Sequence, residues 1–304
     1  ATQLEDGMWS ISGEKSWIGS SAWAGVISVF AKSTNGAVTG FVIPQGTKGM
    51  RMGPEELTMG VRGMVQNTVY LDNALVPGSY ILGKVGHGMD IAQETMSLTR
   101  LGFGAIGLGG MRRCAQLMLR YASRRHISTG LLLDNAVTLG KLNILTMRIH
   151  ALDAYVKCIV NLLDNGQSVP EESLMLSKIL GTEYLFDASD DLMQLLGGRG
   201  YIETNLVPQL FRDARLTRIF EGPTETLNMH IGSSAINNPI PLLTFINDKI
   251  QSPQDAEQLQ EIIDKLRTET SQRQLTGQAR LQEMQLMYCL LYTSDAADEE
   301  DSVD

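Results

Sequence analysis

The segment Arg218-Ile219-Phe220-Glu221-Gly222-Pro223-Thr224 sets one carboxylate between an apolar pair and a Gly-Pro turn. Gly222 suits a helix N-cap, Pro223 the first helical position, and Glu225 the first turn, where an acid meets the positive end of the helix dipole. Glu221 therefore falls on the loop that enters a helix. Apolar neighbours that exclude water make a carboxylate a stronger base, one able to take a carbon-bound proton. The same heptapeptide also fits an ordinary loop glutamate.

Other segments offer weaker chemistry. Gly102-Phe103-Gly104-Ala105-Ile106-Gly107 matches the letters of a dinucleotide fingerprint. That fingerprint requires a preceding strand and an acid about 20 residues on. Here Ile91 to Arg100 reads as helix and the downstream position holds Arg124 and Arg125, so the glycines read as a small-residue stripe between close-packed helices. Gln194-Leu195-Leu196-Gly197-Gly198-Arg199-Gly200-Tyr201 either stops a helix or offers bare backbone to a phosphate or ribose. His87, His126, His150 and His230 show no metal-ligand spacing, and no metal site is expected. There is no phosphate-binding loop and no nucleophile elbow.

The elements that must position these residues follow from periodicity. Residues 1–85 read as β: Trp9-Ser10-Ile11-Ser12 alternates, Asn35-Gly36 marks a hairpin between Val26–Ala31 and Val38–Pro44, and Thr68–Val76 closes at Pro77-Gly78. From Gly88 to Arg125 the pattern is a long helix. Leu142, Leu145, Ile149, Leu152, Val156, Ile159 and Leu163 then step by three and four, the stripe of an antiparallel bundle. Pro170 opens a third helix that runs to Leu196, and Pro223 opens a fourth. Two amphipathic stretches follow, at about 242–250 and 255–287, the second with Leu259, Ile262 and Leu266 on its apolar face. The expected fold is an α+β multidomain chain: a partial β-barrel or sandwich over 1–85, a four-helix bundle over 86–236, and a helical extension over 237–288.

Hydrophobic content of 43% with 19% charged residues is ordinary for a globular protein. Residues 289–304 resemble the in-frame translation of a sequencing adapter and are set aside from the fold. They hold six acids and no Lys or Arg, so the formal charge moves from −9 to −3 without them. No basic stripe invites nucleic acid, and no apolar run approaches the ~20 residues of a membrane helix. Cys114 and Cys158 lie in helical apolar patterns and read as buried thiols of a reducing compartment.

Taken together the motifs resemble the acyl-CoA dehydrogenase family over about residues 5–236. The resemblance rests on Gly13-Glu14-Lys15-Ser16-Trp17-Ile18, on Val76-Pro77 with Leu82-Gly83 and Gly86-His87-Gly88, and on Arg212-Asp213-Ala214-Arg215 followed by Ile219-Phe220-Glu221-Gly222. It implies an FAD enzyme that introduces a trans-2 double bond into an acyl-CoA thioester. Glu221 would take the α-proton while the β-hydrogen leaves as hydride to flavin N5. Trp17 and Ile18 would pack near the flavin ring. Gly19 stands where many members carry a hydroxyl, with Ser20 beside it. Arg125 would meet the FAD pyrophosphate, although His126-Ile127-Ser128 departs from the usual continuation. Gln194, Gly197 and Gly198 would hold the adenosine side. Pro223, which replaces a frequent Thr, would lie beside the flavin with Thr224 and Glu225. Arg100 and Gly222 would belong to the substrate site, with Ser97 where an Asp is frequent.

The resemblance further implies a homodimer or homotetramer, an electron-transfer flavoprotein as acceptor, and a cytoplasmic (bacterial) or mitochondrial-matrix location. The family's N-terminal helical domain would lie before Ala1, so this chain alone is expected to be inactive or weakly flavinylated. The alternatives are a related flavin oxidase, a dehydrogenase acting on a carrier-protein thioester, or a non-catalytic bundle protein.

Overall fold

A computed structural model describes residues 1–272; the 289–304 tail and the end of the 255–287 stretch lie outside them. Contacts divide the chain into two units, Ala1–Leu98 and the residues from Thr99 onward.

The first unit is built on two sheets. Strands β1 (Thr2–Gln3), β2 (Met8–Gly19), β5 (Met50–Glu56) and β6 (Gln66–Pro77) form one, in the order β1-β2-β6-β5. Strands β3 (Val26–Lys32), β4 (Val38–Pro44) and β7 (Ile81–Leu82) form the other. All pairs are antiparallel. The alternating apolar residues of both sheets meet in one core, in which Trp9 and Phe41 lie with ring centroids 5.4 Å apart. The architecture is thus a sandwich of two separate sheets and not a closed barrel. Strand β5, which the sequence pattern does not single out, contains Gly53 and Pro54; it is an edge strand, where a proline costs no ladder bond.

The helices follow. α1 spans Gly88–Ala122, α2 Ala136–Asp164, α3 Glu171–Leu196, α4 Leu206–Thr217, α5 Thr224–Asn237, α6 Ile240–Thr244 and α7 Pro253–Gln272. The unit division falls inside α1. Between α1 and α2 a two-residue hairpin forms from β8 (His126–Ile127) and β9 (Gly130–Leu131). α1 therefore ends at Ala122, three residues short of the expected Arg125, because Arg125 turns into that hairpin. The α2 stripe is buried as its period requires, at Leu145, Leu152, Val156 and Ile159. Asn135 caps α2, its side chain accepting from the N–H groups of Val137 and Thr138.

Helix α4 was not expected. Pro208 falls in its first turn, where proline is tolerated but reads as a break, and the helix is only 12 residues long. The GxGxxG stripe lies in mid-helix. A Cβ on Gly104 would sit 2.1 Å from Ser177 Oγ, and one on Gly107 would sit 2.1 Å from the Gly181 carbonyl. These two glycines let α1 and α3 touch backbone to backbone, whereas Gly102 faces open space.

Cys114 is buried and free, and burial pushes its thiol up to about 11; Cys158 is free and half-buried. In the extension, Ile263 is buried. Arg267 donates from Nε to the Ile236 carbonyl at the end of α5, at 2.9 Å. Ser234 of α5 also hydrogen-bonds Glu172 of α3.

Candidate active site

The Glu221 turn is a tightly held loop of the helical unit. Glu221 has φ +54° and Gly222 φ +94°, two consecutive left-handed residues. For a residue with a side chain this conformation costs on the order of 1–2 kcal/mol unless its surroundings hold it. Gly222 has no such penalty, but a Cβ there would lie 2.8 Å from Leu227 Cδ2. The chain doubles back before Pro223, so Pro223 is still extended (φ −56°, ψ 147°). It is the N-cap of α5 and not its first helical residue, one position later than the sequence pattern implies; Glu225 remains in the first turn.

Several side chains hold the turn. Arg100 of α1, buried, donates from Nη1 to Glu171 Oε1 at 3.0 Å and from Nε to the Glu221 carbonyl at 3.4 Å. Lys178 of α3, with 0% exposure, donates to the Gly222 carbonyl at 2.8 Å. Glu183 of α3 accepts from Arg218 Nε at 2.8 Å and from the Thr224 hydroxyl at 2.5 Å, tying both flanks of the turn to one carboxylate. Phe220 packs edge-on against Phe103 of α1, centroids 4.5 Å apart. The expected apolar cover is thus only half present: Phe220 is packed, whereas Ile219 is 49% exposed. Among the described residues, neither Glu221 nor Gly222 donates its backbone N–H to another group.

Lys178 and Glu183 escaped the sequence reading. The signal was present: Lys178 shares a helical face with Leu174, Met175, Gly181 and Thr182, all buried, so it is a charge on a core stripe. Burial pushes its ammonium down to about 8, against the opposing pull of Glu183, Glu225 and Glu221; Arg100 adds to the lowering.

The other residues sort by place. Ser97 lies three residues before Arg100 on α1, half-buried. At the far end of α3, Arg125, Gly197 and Gly198 line one cavity of about 400 Å³ together with Tyr121 and Arg199. Gly197 has φ +57°, and a Cβ on either glycine would meet nothing within 4 Å. Gln194 is exposed and does not line this cavity; its carbonyl accepts the Gly197 N–H that ends α3. Beside it, Arg120, Arg124, Arg125, His126 and Arg199 line a second cavity of about 490 Å³, so this end is strongly cationic.

In the β unit, Trp17 sits at an irregularity of β2, where its pairing with β6 shifts between Lys15 and Ile18. Trp17 is left-handed (φ +61°) and 67% exposed, while Ile18 packs on the sandwich core. A Cβ on Gly19 would press on Met64 Sδ at 3.0 Å. Bulges of this kind re-aim a side chain, and here one presents an indole outward.

The sequence matches the models of the acyl-CoA dehydrogenase middle domain over residues 1–74 and of the acyl-CoA dehydrogenase C-terminal domain over residues 86–236. This chain belongs to the acyl-CoA dehydrogenase family. A mitochondrial short-chain specific acyl-CoA dehydrogenase of Rattus norvegicus is 29% identical over 252 residues, covering 78% of this chain and 58% of that protein. The structure of butyryl-CoA dehydrogenase from Megasphaera elsdenii aligns with a TM-score of 0.73 at 26% identity, over 77% of this chain and 62% of that one. An acyl-CoA dehydrogenase complexed with FAD from Bacillus anthracis aligns with a TM-score of 0.78 at 23% identity, over 94% of this chain and 55% of that one, and at that identity speaks for the fold alone. This acyl-CoA dehydrogenase family chain spans about half the length of the curated relatives it matches. Among the described residues no helix is long and apolar enough to cross a membrane.

Proposed function

We propose that the whole protein is an FAD-dependent acyl-CoA dehydrogenase that converts an acyl-CoA thioester to its trans-2-enoyl product, with Glu221 as the α-proton base. The observation that carries this reading is the Glu221-Gly222 turn: a carboxylate on a left-handed residue, fixed by two buried cations, beside two backbone N–H groups without internal acceptors.

A thioester α-proton is far too weak an acid for a carboxylate acting in water. The carbonyl must therefore accept hydrogen bonds that strengthen as negative charge develops on it. The Glu221 N–H is the natural donor, because it belongs to the residue that removes the proton and moves with it. Glu221 takes the α-proton on its carboxylate, and the turn keeps that carboxylate aimed while the substrate excludes water.

The chain's residues fit FAD. Arg125 and the bare backbone of Gly197 and Gly198, with open space where a Cβ would sit, line one cavity, a donor set that suits a pyrophosphate. Trp17, turned outward at the bulge, suits an aromatic ring system, while Ile18 beside it packs on the sandwich core. FAD, when bound, supplies the acceptor for the β-hydrogen and its electron pair. In this reading Arg125, Gly197 and Gly198 serve a neighbouring subunit's FAD, giving a homodimer or homotetramer, and an electron-transfer flavoprotein takes the electrons onward.

Full-length protein should show a bound-flavin spectrum, and anaerobic titration with acyl-CoAs of graded length should bleach it. A Glu221→Gln protein that bleaches at the wild-type rate would refute the base assignment.

A further inference from the structure

A lysine with 0% exposure is costly, because desolvating an ammonium costs several kcal/mol. A methionine of similar shape would pack on the same face of α3 without that cost. Lys178 directs its charge at one acceptor, the Gly222 carbonyl, at 2.8 Å. That carbonyl precedes the N-cap of α5, so no helical N–H reaches it. It also belongs to the second of the two left-handed residues, so fixing its direction fixes the peptide plane that follows Glu221-Gly222. Arg100 holds the carbonyl just before it. The close approach of α1 and α3 at Gly104–Ser177 and Gly107–Gly181 brackets Lys178, leaving the side chain little room to go elsewhere.

We propose that Lys178 is a positioning residue for the proposed catalytic base: its buried ammonium clamps the Gly222 carbonyl and so holds the left-handed turn that aims the Glu221 carboxylate. The inference rests on Glu221 being the base. Lys178 touches neither substrate nor cofactor in this scheme; it acts through the turn. The charged groups that face it are Glu183 on its own helix, Glu225 on α5, Arg100 on α1 and Glu221 itself. The three carboxylates compensate the buried charge, Arg100 opposes it, and the hydrogen bond converts it into geometry.

The test uses full-length, FAD-loaded protein and 3,3-dimethylbutyryl-CoA, which has α-hydrogens but no β-hydrogen. In D₂O Glu221 takes an α-proton and returns a solvent deuteron, with no electrons transferred, so exchange followed by NMR reports proton abstraction alone. Lys178→Met should slow exchange per bound flavin by about 10–100-fold, the usual consequence of losing a charged hydrogen bond. Lys178→Gln, a shorter neutral donor, should slow it about 5-fold. On an oxidisable acyl-CoA both should lower kcat with little change in KM. Amide hydrogen exchange over residues 224–230 of the flavin-free protein should quicken in Lys178→Met, while that over 206–217 stays as in wild type.

Either variant exchanging the α-proton at the wild-type rate overturns the proposal. So does unchanged amide exchange at 224–230. If Lys178→Met does not fold, the Lys178→Gln comparison decides alone. A wild-type exchange rate in Glu221→Gln would instead refute the base, an outcome distinct from a silent Lys178 beside a dead Glu221→Gln.

Discussion

The two ends of helix α3 solve opposite problems. In its first half, Lys178 and Glu183 reach into a packed, charge-compensated cluster that holds the Glu221 turn with bonds internal to this chain. Nineteen residues on, about 28 Å at the α-helical rise, the helix stops at Gly197-Gly198 amid Arg125 and Arg199, beside open cavities with unbalanced positive charge. One end is complete in itself and rigid. The other is a cradle whose counter-charge must come from outside. A base that abstracts a carbon-bound proton gains from a fixed geometry, whereas an anion site gains from backbone that a ligand can approach.

The largest effect should come at the closed end. Glu221→Gln removes the proposed base and should lower the rate of flavin bleaching by roughly 10²–10⁴-fold with flavin content unchanged, measured by anaerobic stopped flow. Next, Arg125→Ala at the open end should weaken FAD retention by about 10–100-fold, read by flavin release on dilution. Its remaining loaded fraction should still exchange substrate α-protons at the normal rate. A matching loss there would mean that the two ends are not separable, and the comparison would fail.

Between the ends lies the helix contact itself. Gly107→Ala drives a methyl into the Gly181 carbonyl, and overpacking of this sort should cost about 1–3 kcal/mol, seen as a lower thermal midpoint. The smallest effect is one of pH. The Lys178 ammonium has a folded pKa of about 8, below its ordinary 10.5. Between these values the unfolded chain binds more protons than the folded one, so stability should rise with pH across that window. Denaturant titrations at pH 7.5, 9 and 10 should show this rise in wild type, and Lys178→Met should lack that component.

Sequence pattern alone located most of this frame. The α2 stripe, the Pro170 start of α3, the Asn35-Gly36 hairpin and the rejection of the GxGxxG letters all rest on periodicity or on turn chemistry, which are local. What escaped was decided by distant partners. Strand β5 tolerates Gly53 and Pro54 only because it lies at a sheet edge. Helix α4 hides behind Pro208. The N-cap moved to Pro223 because Glu221 adopts a left-handed backbone that only surrounding side chains sustain. Glu221 itself was visible as a carboxylate before a Gly-Pro turn, but the cations beneath it lie 121 and 43 residues away in sequence. Gln194, which the family resemblance groups with the glycines, lies outside the cavity they line.

Helix α5 is anchored at both tips: the Glu221 turn and Thr224 at its beginning, Ser234 and the Arg267-bound Ile236 carbonyl at its end. A rod pinned this way has no axial slack. The extension is therefore tied to the far tip of the same 14-residue helix whose first turn follows the carboxylate.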